Sequence, residues 1–270
     1  MSTTIEHARE RYDSDGYLIV PGPILPADVV SRAVDGMDAI RRGEYDTGVP
    51  PCPSPWKPGD DLNKLCKIEQ PQFASRAIFE LVSHPELGRW AAAITGASMV
   101  QAWWVQLLYK PPQVGAASTT VGWHQDRSYW GIWEDGSEVF TAWVAVSDVG
   151  ADSGPMSFVR GSHRWGLRNQ GDFYGQDLLA QKRAISLPPG AIWEEDTAIL
   201  PPGGVSFHNC LTVHGSGPNI SSTPRRSFAI HLRTQNSRPV GDRREGLSQY
   251  VDDPTLCPIL FGTGAKAIIW

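Results

Sequence analysis

From about residue 99 the hydrophobic pattern shortens to a period of two. "MVQAWWVQLLYK", "VGWHQD", "EVFTAWVAVSDV", "PMSFVRGSH", "GAIWEED", "GGVSFHNCLTVHG" and "RRSFAIHLRT" read as short strands divided by Gly, Pro, Asp and Ser clusters. Short strands at this density require a sandwich or barrel with antiparallel connections. No self-similarity at a period of 20 to 50 residues is visible, which argues against solenoids and propellers.

The first 98 residues are patterned differently. A polar helical start, "STTIEHARERYDSDGY", gives way through Asp15-Gly16 to an apolar strand over Tyr17 to Val20, stopped by Pro21-Gly22-Pro23. In "LPADVVSRAVDGMDAIRRG", Val29, Val30, Ala33, Val34, Met37 and Ile40 recur at helical spacing, and Gly43 is a C-terminal signal. Residues 46–61 hold five prolines and two glycines and are expected to be a loop covering something. "FASRAIFELVSHPELGRWAAAITG" predicts a further pair of helices broken at Pro85. Helices preceding strands would pack on an outer sheet face, giving one α+β domain, mainly β, over 1–270. Its parts are a helical region at about 1–98, a strand core at about 99–235 and an extension at about 236–270.

Net charge is −5 and no basic block stands out, so nucleic acid and anionic membrane surfaces are poor partners and a small molecule is the better one. No apolar leader and no long apolar span occur, which with four scattered cysteines points to a cytoplasmic chain with reduced thiols. The 11 tryptophans suggest aromatic-lined cavities.

Within "GWHQDRSYW", strand alternation puts His124 and Asp126 on one face and Gln125 on the other. One imidazole and one carboxylate are two parts of a 2-His-1-carboxylate triad, which leaves open positions on Fe(II). Alone, H-x-D is more often a hydrogen-bonded pair. His214 ends an apolar strand before the Gly-rich turn Gly215 to Asn219, and Arg225 opens the next strand. An arginine there suits a dicarboxylate cosubstrate, because its planar fork matches a carboxylate. By parity Arg225, Ser227, Ala229 and His231 face the cavity, and Phe228, Ile230 and Leu232 face the helices. His208 precedes His214 by six residues, roughly 20 Å of extended strand, so a core or pocket role is expected for it.

The residues "KPP" at 110–112, "WHQD" at 123–126, "AWVAVSD" at 142–148, "GPMSFVRGSH" at 154–163 and "HGSGPN" at 214–219 with Arg225 resemble the phytanoyl-CoA dioxygenase family. Upstream, "DGYLIV" resembles its opening strand, and "CKIEQ" and "HPELGRWAAAITG" resemble its helical part. The resemblance covers nearly the whole chain. It implies a double-stranded β-helix (jelly-roll, cupin-like) core, Fe(II), 2-oxoglutarate and O₂ as cofactors, and oxidation of a substrate C–H bond with release of succinate and CO₂. Residue by residue it implies iron ligands at His124, Asp126 and His214. The 2-oxoglutarate contacts fall on Arg225, Lys67, Gln106, Trp143 and Ser216, with Ser216 or Lys67 assisting Arg225. Relatives that halogenate carry a small residue where Asp126 stands, so hydroxylation is the default, with desaturation, cyclisation and epimerisation open. Gly203-Gly204 departs from the family's usual Gly-Asp.

Arg127, Trp130 and His231 are the substrate candidates, and Trp104, Trp123, Tyr129, Trp133, Trp193 and Arg160 are weighed beside them. An acyl-CoA would call for a basic patch; the chain offers only "RPVGDRR" at 238–244, which favours a small metabolite or natural-product intermediate. A monomer or homodimer is expected. A catalytically silent jelly-roll binding protein and a cupin-like isomerase or zinc enzyme stay open as alternatives, and neither would consume 2-oxoglutarate.

Overall fold

In this computed structural model, residues 5–114, 119–168, 170–242 and 244–265 are described. Arg243, in the basic stretch noted above, lies outside them. The helices are α1 (Ile5–Asp15), α2 (Ala27–Arg42), α3 (Arg76–Val82), α4 (Pro85–Thr95) and α5 (Leu178–Ala184). The strands are β1 (Tyr17–Pro23), β2 (Cys66–Glu69), β3 (Val100–Lys110), β4 (Val121–His124), β5 (Val139–Ala145), β6 (Met156–Val159), β7 (Glu195–Thr197), β8 (Gly204–Asn209), β9 (His214–Ser216), β10 (Arg225–Thr234) and β11 (Ile259–Phe261).

The strands form two antiparallel sheets. The larger runs β1-β8-β5-β10-β3-β11, with β2 also on β3, and the smaller runs β4-β9-β6-β7. Alternation decides which side each residue takes. Phe228, Ile230 and Leu232 of β10, with Phe140, Ala142 and Val144 of β5, join the cluster built with α1 to α4. The opposite parity, Trp143, Ala145 and Ala229, meets Met156 and Phe158 of the smaller sheet. The two faces of β10 thus separate a helix-packed core from an inter-sheet cavity.

Helix α2 shows how local pattern becomes packing. Val29, Val30, Ala33, Met37 and Ile40 are buried on one stripe, and Gly43, at φ 83°, closes the helix by donating to the Ala39 and Ile40 carbonyls. Truncating a fully buried member of the cluster it joins, such as Phe228, would cost about 3–5 kcal/mol.

Three expectations change. "CKIEQ" is not helical: Cys66–Glu69 is β2, paired with Gln106–Tyr109 of β3. The opening strand runs on to Pro23 after a register shift, which an edge strand tolerates. The C-terminal extension returns to the sheet through β11, which pairs with the start of β3. Gly88 permits this close return, since a Cβ there would lie 2.2 Å from the Leu260 carbonyl oxygen. The proline-rich loop is anchored by Trp56, buried in the main core with Arg41 over its ring.

Candidate metal centre and its two chambers

Strand β4 ends at His124, and the chain turns into a 3₁₀ helix that begins at Asp126. The expected strand is therefore shorter, yet both side chains still reach one place. Gln125 points away, donating to the Gly166 and Leu211 carbonyls and accepting from the Arg168 amide, which fixes the bend. β9 pairs with β4 with His214 opposite His124. His124 Nε2 lies 3.7 Å, and His214 Nε2 3.6 Å, from Asp126 Oδ1. One donor atom from each of His124, Asp126 and His214 falls within 4.8 Å of the others, and all three residues are buried.

The donor chemistry suits a cation. His124 Nδ1 is 2.8 Å from the Gly122 carbonyl and His214 Nδ1 is 2.9 Å from that of Thr212. A carbonyl accepts only, so each ring carries its proton on Nδ1 and turns the Nε2 lone pair inwards. Burial pushes the His214 imidazole down, assisted by His124 and His208, which keeps it neutral. Burial acts to raise the Asp126 carboxyl, but the imidazoles of His214, His124 and His208 around it overrule burial and hold it well below the usual range. Two imidazoles and a carboxylate converge in the set that Fe(II) takes.

Asp126 Oδ2 is occupied separately. It accepts from Thr141 Oγ1 at 2.8 Å and lies 3.2 Å from His208 Nε2. His208 is thus beside the site, with its ring 4.3 Å from that of His214. The extended-strand distance does not apply, because the chain turns between the end of β8 at Asn209 and the start of β9. Thr141 is the cross-strand partner of both His208 and His231, so the three share one row of the larger sheet.

An inner and an outer chamber meet at this centre, both lined by Gln106, His124, Asp126, Phe173 and His231. Trp143, Met156, His208, His214 and Arg225 line the inner one. Arg225 is buried, donates to the Gly154 carbonyl at 2.6 Å and sits 5.1 Å from the Trp143 ring centre. Lys110, its register partner on β3, is also buried and donates to Ser216 Oγ at 2.6 Å and the Gly217 carbonyl at 2.7 Å. Burial lowers the Arg225 guanidinium to about 9, and burial with Arg225 nearby lowers the Lys110 amine well below its usual value. Among the described residues neither side chain has a carboxylate partner, and Arg225 Nε and the Trp143 indole N–H are buried without hydrogen-bond partners. A dicarboxylate fits those orphaned donors.

Lys67 lines the outer chamber, pairs with Glu69 at 3.3 Å and has its Nζ 4.5 Å from the Phe173 ring centre, whereas Lys110 is the lysine in register with Arg225. The outer chamber, about 170 Å³, is walled by Trp104, Tyr129, Trp130, Phe173, Tyr174 and Leu247. Arg127 lines neither chamber. Its guanidinium is used by the Trp130 and Trp133 carbonyls and Asp135. Arg160 is bound to Asp15 and Asp196. Trp123 and Trp193 pack together in a separate cluster, and Trp133 packs edge-on to Trp103.

Thr141, Lys110, Phe173 and Tyr174 escape the sequence reading as site residues, and His208, expected in the core or pocket, lies against Asp126. For Lys110 and Thr141 the missing signal is register, which sets them opposite Arg225 and His231.

A family model described as phytanoyl-CoA dioxygenase (PhyH) matches residues 12–227. The ectoine dioxygenase of Bordetella parapertussis is 27% identical over 250 residues, covering 84% of this chain and 75% of the relative. The peroxisomal phytanoyl-CoA dioxygenase of Bos taurus is 22% identical over 261 residues, covering 91% and 74%. The crystal structure of the epimerase SnoN in complex with Fe3+, alpha ketoglutarate and nogalamycin RO superposes at TM-score 0.67 and 26% identity, over 98% of this chain and 93% of that one. The non-heme alpha ketoglutarate dependent carbocyclase SnoK shares the fold at TM-score 0.70 and 23% identity, over 96% and 99%. With a family match over most of its length and a His-Asp-His centre between two sheets, the chain belongs to the phytanoyl-CoA dioxygenase family and is an Fe(II)- and 2-oxoglutarate-dependent oxygenase of jelly-roll fold.

Proposed function

We propose that His124, Asp126 and His214 bind the iron and that Arg225 receives the distal carboxylate of 2-oxoglutarate. The substrate is then a small metabolite or natural-product intermediate, hydroxylated at an unactivated C–H bond with release of succinate and CO₂. The observation that carries this is the juxtaposition of three buried metal donors with a buried, carboxylate-free Arg225 in one crevice.

Iron, 2-oxoglutarate and O₂ supply the oxidising chemistry when bound, and the chain supplies binding, orientation and exclusion of water. Thr141 and His208 hold Asp126 Oδ2, which leaves Oδ1 directed at the two Nε2 atoms. Arg225 makes the inner end positive, with Trp143 beneath the guanidinium, and Lys110, its register partner, holds Ser216. Gln106 faces both chambers and donates to Glu69 at 3.4 Å. Trp104, Trp130 and Phe173 form an apolar passage through which a C–H bond can be aimed.

A second reading, C–H oxidation leading to epimerisation, desaturation or ring closure, is favoured by the likeness to SnoN at 26% identity and by the aromatic walls. An acyl-CoA substrate is less well supported, because Lys67, the lysine on the outer wall, is already paired with Glu69. We place the enzyme in the cytoplasm as a monomer or homodimer. Among the described residues no helix is long and apolar enough to cross a membrane, and the four cysteines are free thiols.

The test is an anaerobic titration with Fe(II) and then 2-oxoglutarate, followed by the weak visible band of a chelated keto acid. The band is expected in the native protein and absent in His214→Ala. A protein that binds iron yet never shows the band refutes the proposal.

A further inference from the structure

We propose that His231 positions the substrate: its proton is fixed on Nδ1, and Nε2 offers the outer chamber a lone pair that accepts a hydrogen bond from a substrate O–H or N–H. This deepens the function proposed above and rests on Asp126 acting as a ligating carboxylate.

The tautomer follows from the shared row of the sheet. Thr141 Oγ1 has one proton, and it goes to Asp126 Oδ2 at 2.8 Å, since a carboxylate can only accept. His231 Nδ1 lies 2.9 Å from the same hydroxyl oxygen. That oxygen has only lone pairs left to offer, so Nδ1 must be the donor. Burial lowers the His231 imidazole to about 4, so the ring is neutral and Nε2 carries no proton. Among the described residues Nε2 has no hydrogen-bond partner, and the ring forms part of the wall of both chambers.

The ring is also held in place. Trp130 meets it edge-on at 4.7 Å between centroids and Trp103 lies at 5.7 Å, which leaves little freedom to flip. Glu69, a stronger acceptor of the same chamber, is already engaged: it takes Trp104 Nε1 at 2.6 Å, Gln106 Nε2 at 3.4 Å and Lys67 at 3.3 Å. An aromatic-walled space of about 170 Å³ with an unclaimed acceptor beside the metal centre suits a neutral ring bearing a hydroxyl or N–H. An apolar cavity of about 150 Å³ holds benzene, so one ring fits and larger substrates would extend past Tyr129 and Tyr174.

The test uses the full chain loaded with Zn(II) and 2-oxoglutarate, with ¹⁵N-labelled histidine, read by long-range ¹H–¹⁵N correlation. His231, assigned by the signal missing in His231→Phe, is expected as the neutral Nδ1–H form. 4-Methylphenol and 4-methylanisole, which differ in one donor, are then titrated. The phenol is expected to bind about tenfold more tightly and to move the Nε2 resonance, and both effects should vanish in His231→Phe.

An Nε2–H or doubly protonated His231 ring in the native protein overturns the proposal. So does equal binding of the two probes, binding of neither, or a preference that survives in His231→Phe. The keto acid band separates the two levels. If it is missing from the native protein the proposed function has failed, whereas if it persists in native protein and variant without donor preference, only the role of His231 has.

Discussion

Replacing Arg225 with methionine should stabilise the ligand-free protein while abolishing its response to 2-oxoglutarate. Arg225 is 1% exposed and, among the described residues, faces no carboxylate. A guanidinium lowered by burial to about 9 carries a cost of roughly 5 kcal/mol at neutral pH, at about 1.4 kcal/mol per tenfold. The sign follows because a base with a depressed folded value favours the unfolded chain at every pH below it, and the penalty fades above about 9. Part of it is offset by the Gly154 carbonyl at 2.6 Å and the Trp143 ring at 5.1 Å, contacts the variant also loses. The net gain is about 1–3 kcal/mol, or about 3–8 °C in Tm. In the native protein, Zn(II) and a hundredfold excess of 2-oxoglutarate over Kd should add about 2.7 kcal/mol, and Arg225→Met should show none of it. Paired thermal melts with and without 2-oxoglutarate measure both. A lower Tm in the ligand-free variant would mean the cation is compensated within the protein, and a retained 2-oxoglutarate response would remove Arg225 from that site.

Thr141→Val removes the hydroxyl shared by Asp126 and His231, and Fe(II) affinity measured anaerobically should fall about 10- to 100-fold; unchanged affinity would mean that Asp126 does not depend on it. Lys110→Met should raise KM for 2-oxoglutarate about tenfold in a succinate assay with little change in kcat, and an unchanged KM would confine Lys110 to holding the Ser216–Gly217 turn. Gly88→Ala forces a Cβ to within 2.2 Å of the Leu260 carbonyl, so stability should drop about 1–3 kcal/mol with faster hydrogen exchange in β11; a neutral result would show that β11 docks elsewhere.

What the sequence made legible was whatever alternation alone decides. Phe228, Ile230 and Leu232 do face the helices, and Ala229 and His231 the cavity, because side-chain period in a strand is independent of its partners. His124 and Asp126 were expected on one face and do converge, although the strand ends between them. What stayed hidden depends on register and chain reversal. Lys110 meets Arg225 only through the β3–β10 pairing, and His208 reaches Asp126 only because the chain turns after Asn209. Arg127 looked available because its sequence neighbours are site residues. Its hydrogen bonds to the Trp130 and Trp133 carbonyls lie within the local turn, and no periodicity reveals them.

Charge distribution sorts the two organic reactants before either makes a specific contact. At the inner end buried Arg225 stands without a carboxylate among the described residues, so a dianion entering there relieves a desolvation cost already incurred in folding. At the outer end Lys67 and Glu69 neutralise each other at 3.3 Å, and Trp104 and Gln106 take up the remaining carboxylate capacity. An anionic substrate there would have to break that pair and would gain no net charge in exchange. A neutral molecule leaves the pair intact, gains the aromatic walls, and still finds one acceptor at His231. A substrate held against Trp130 and Phe173 would also cover the residues that the two chambers share and shield the metal centre from water.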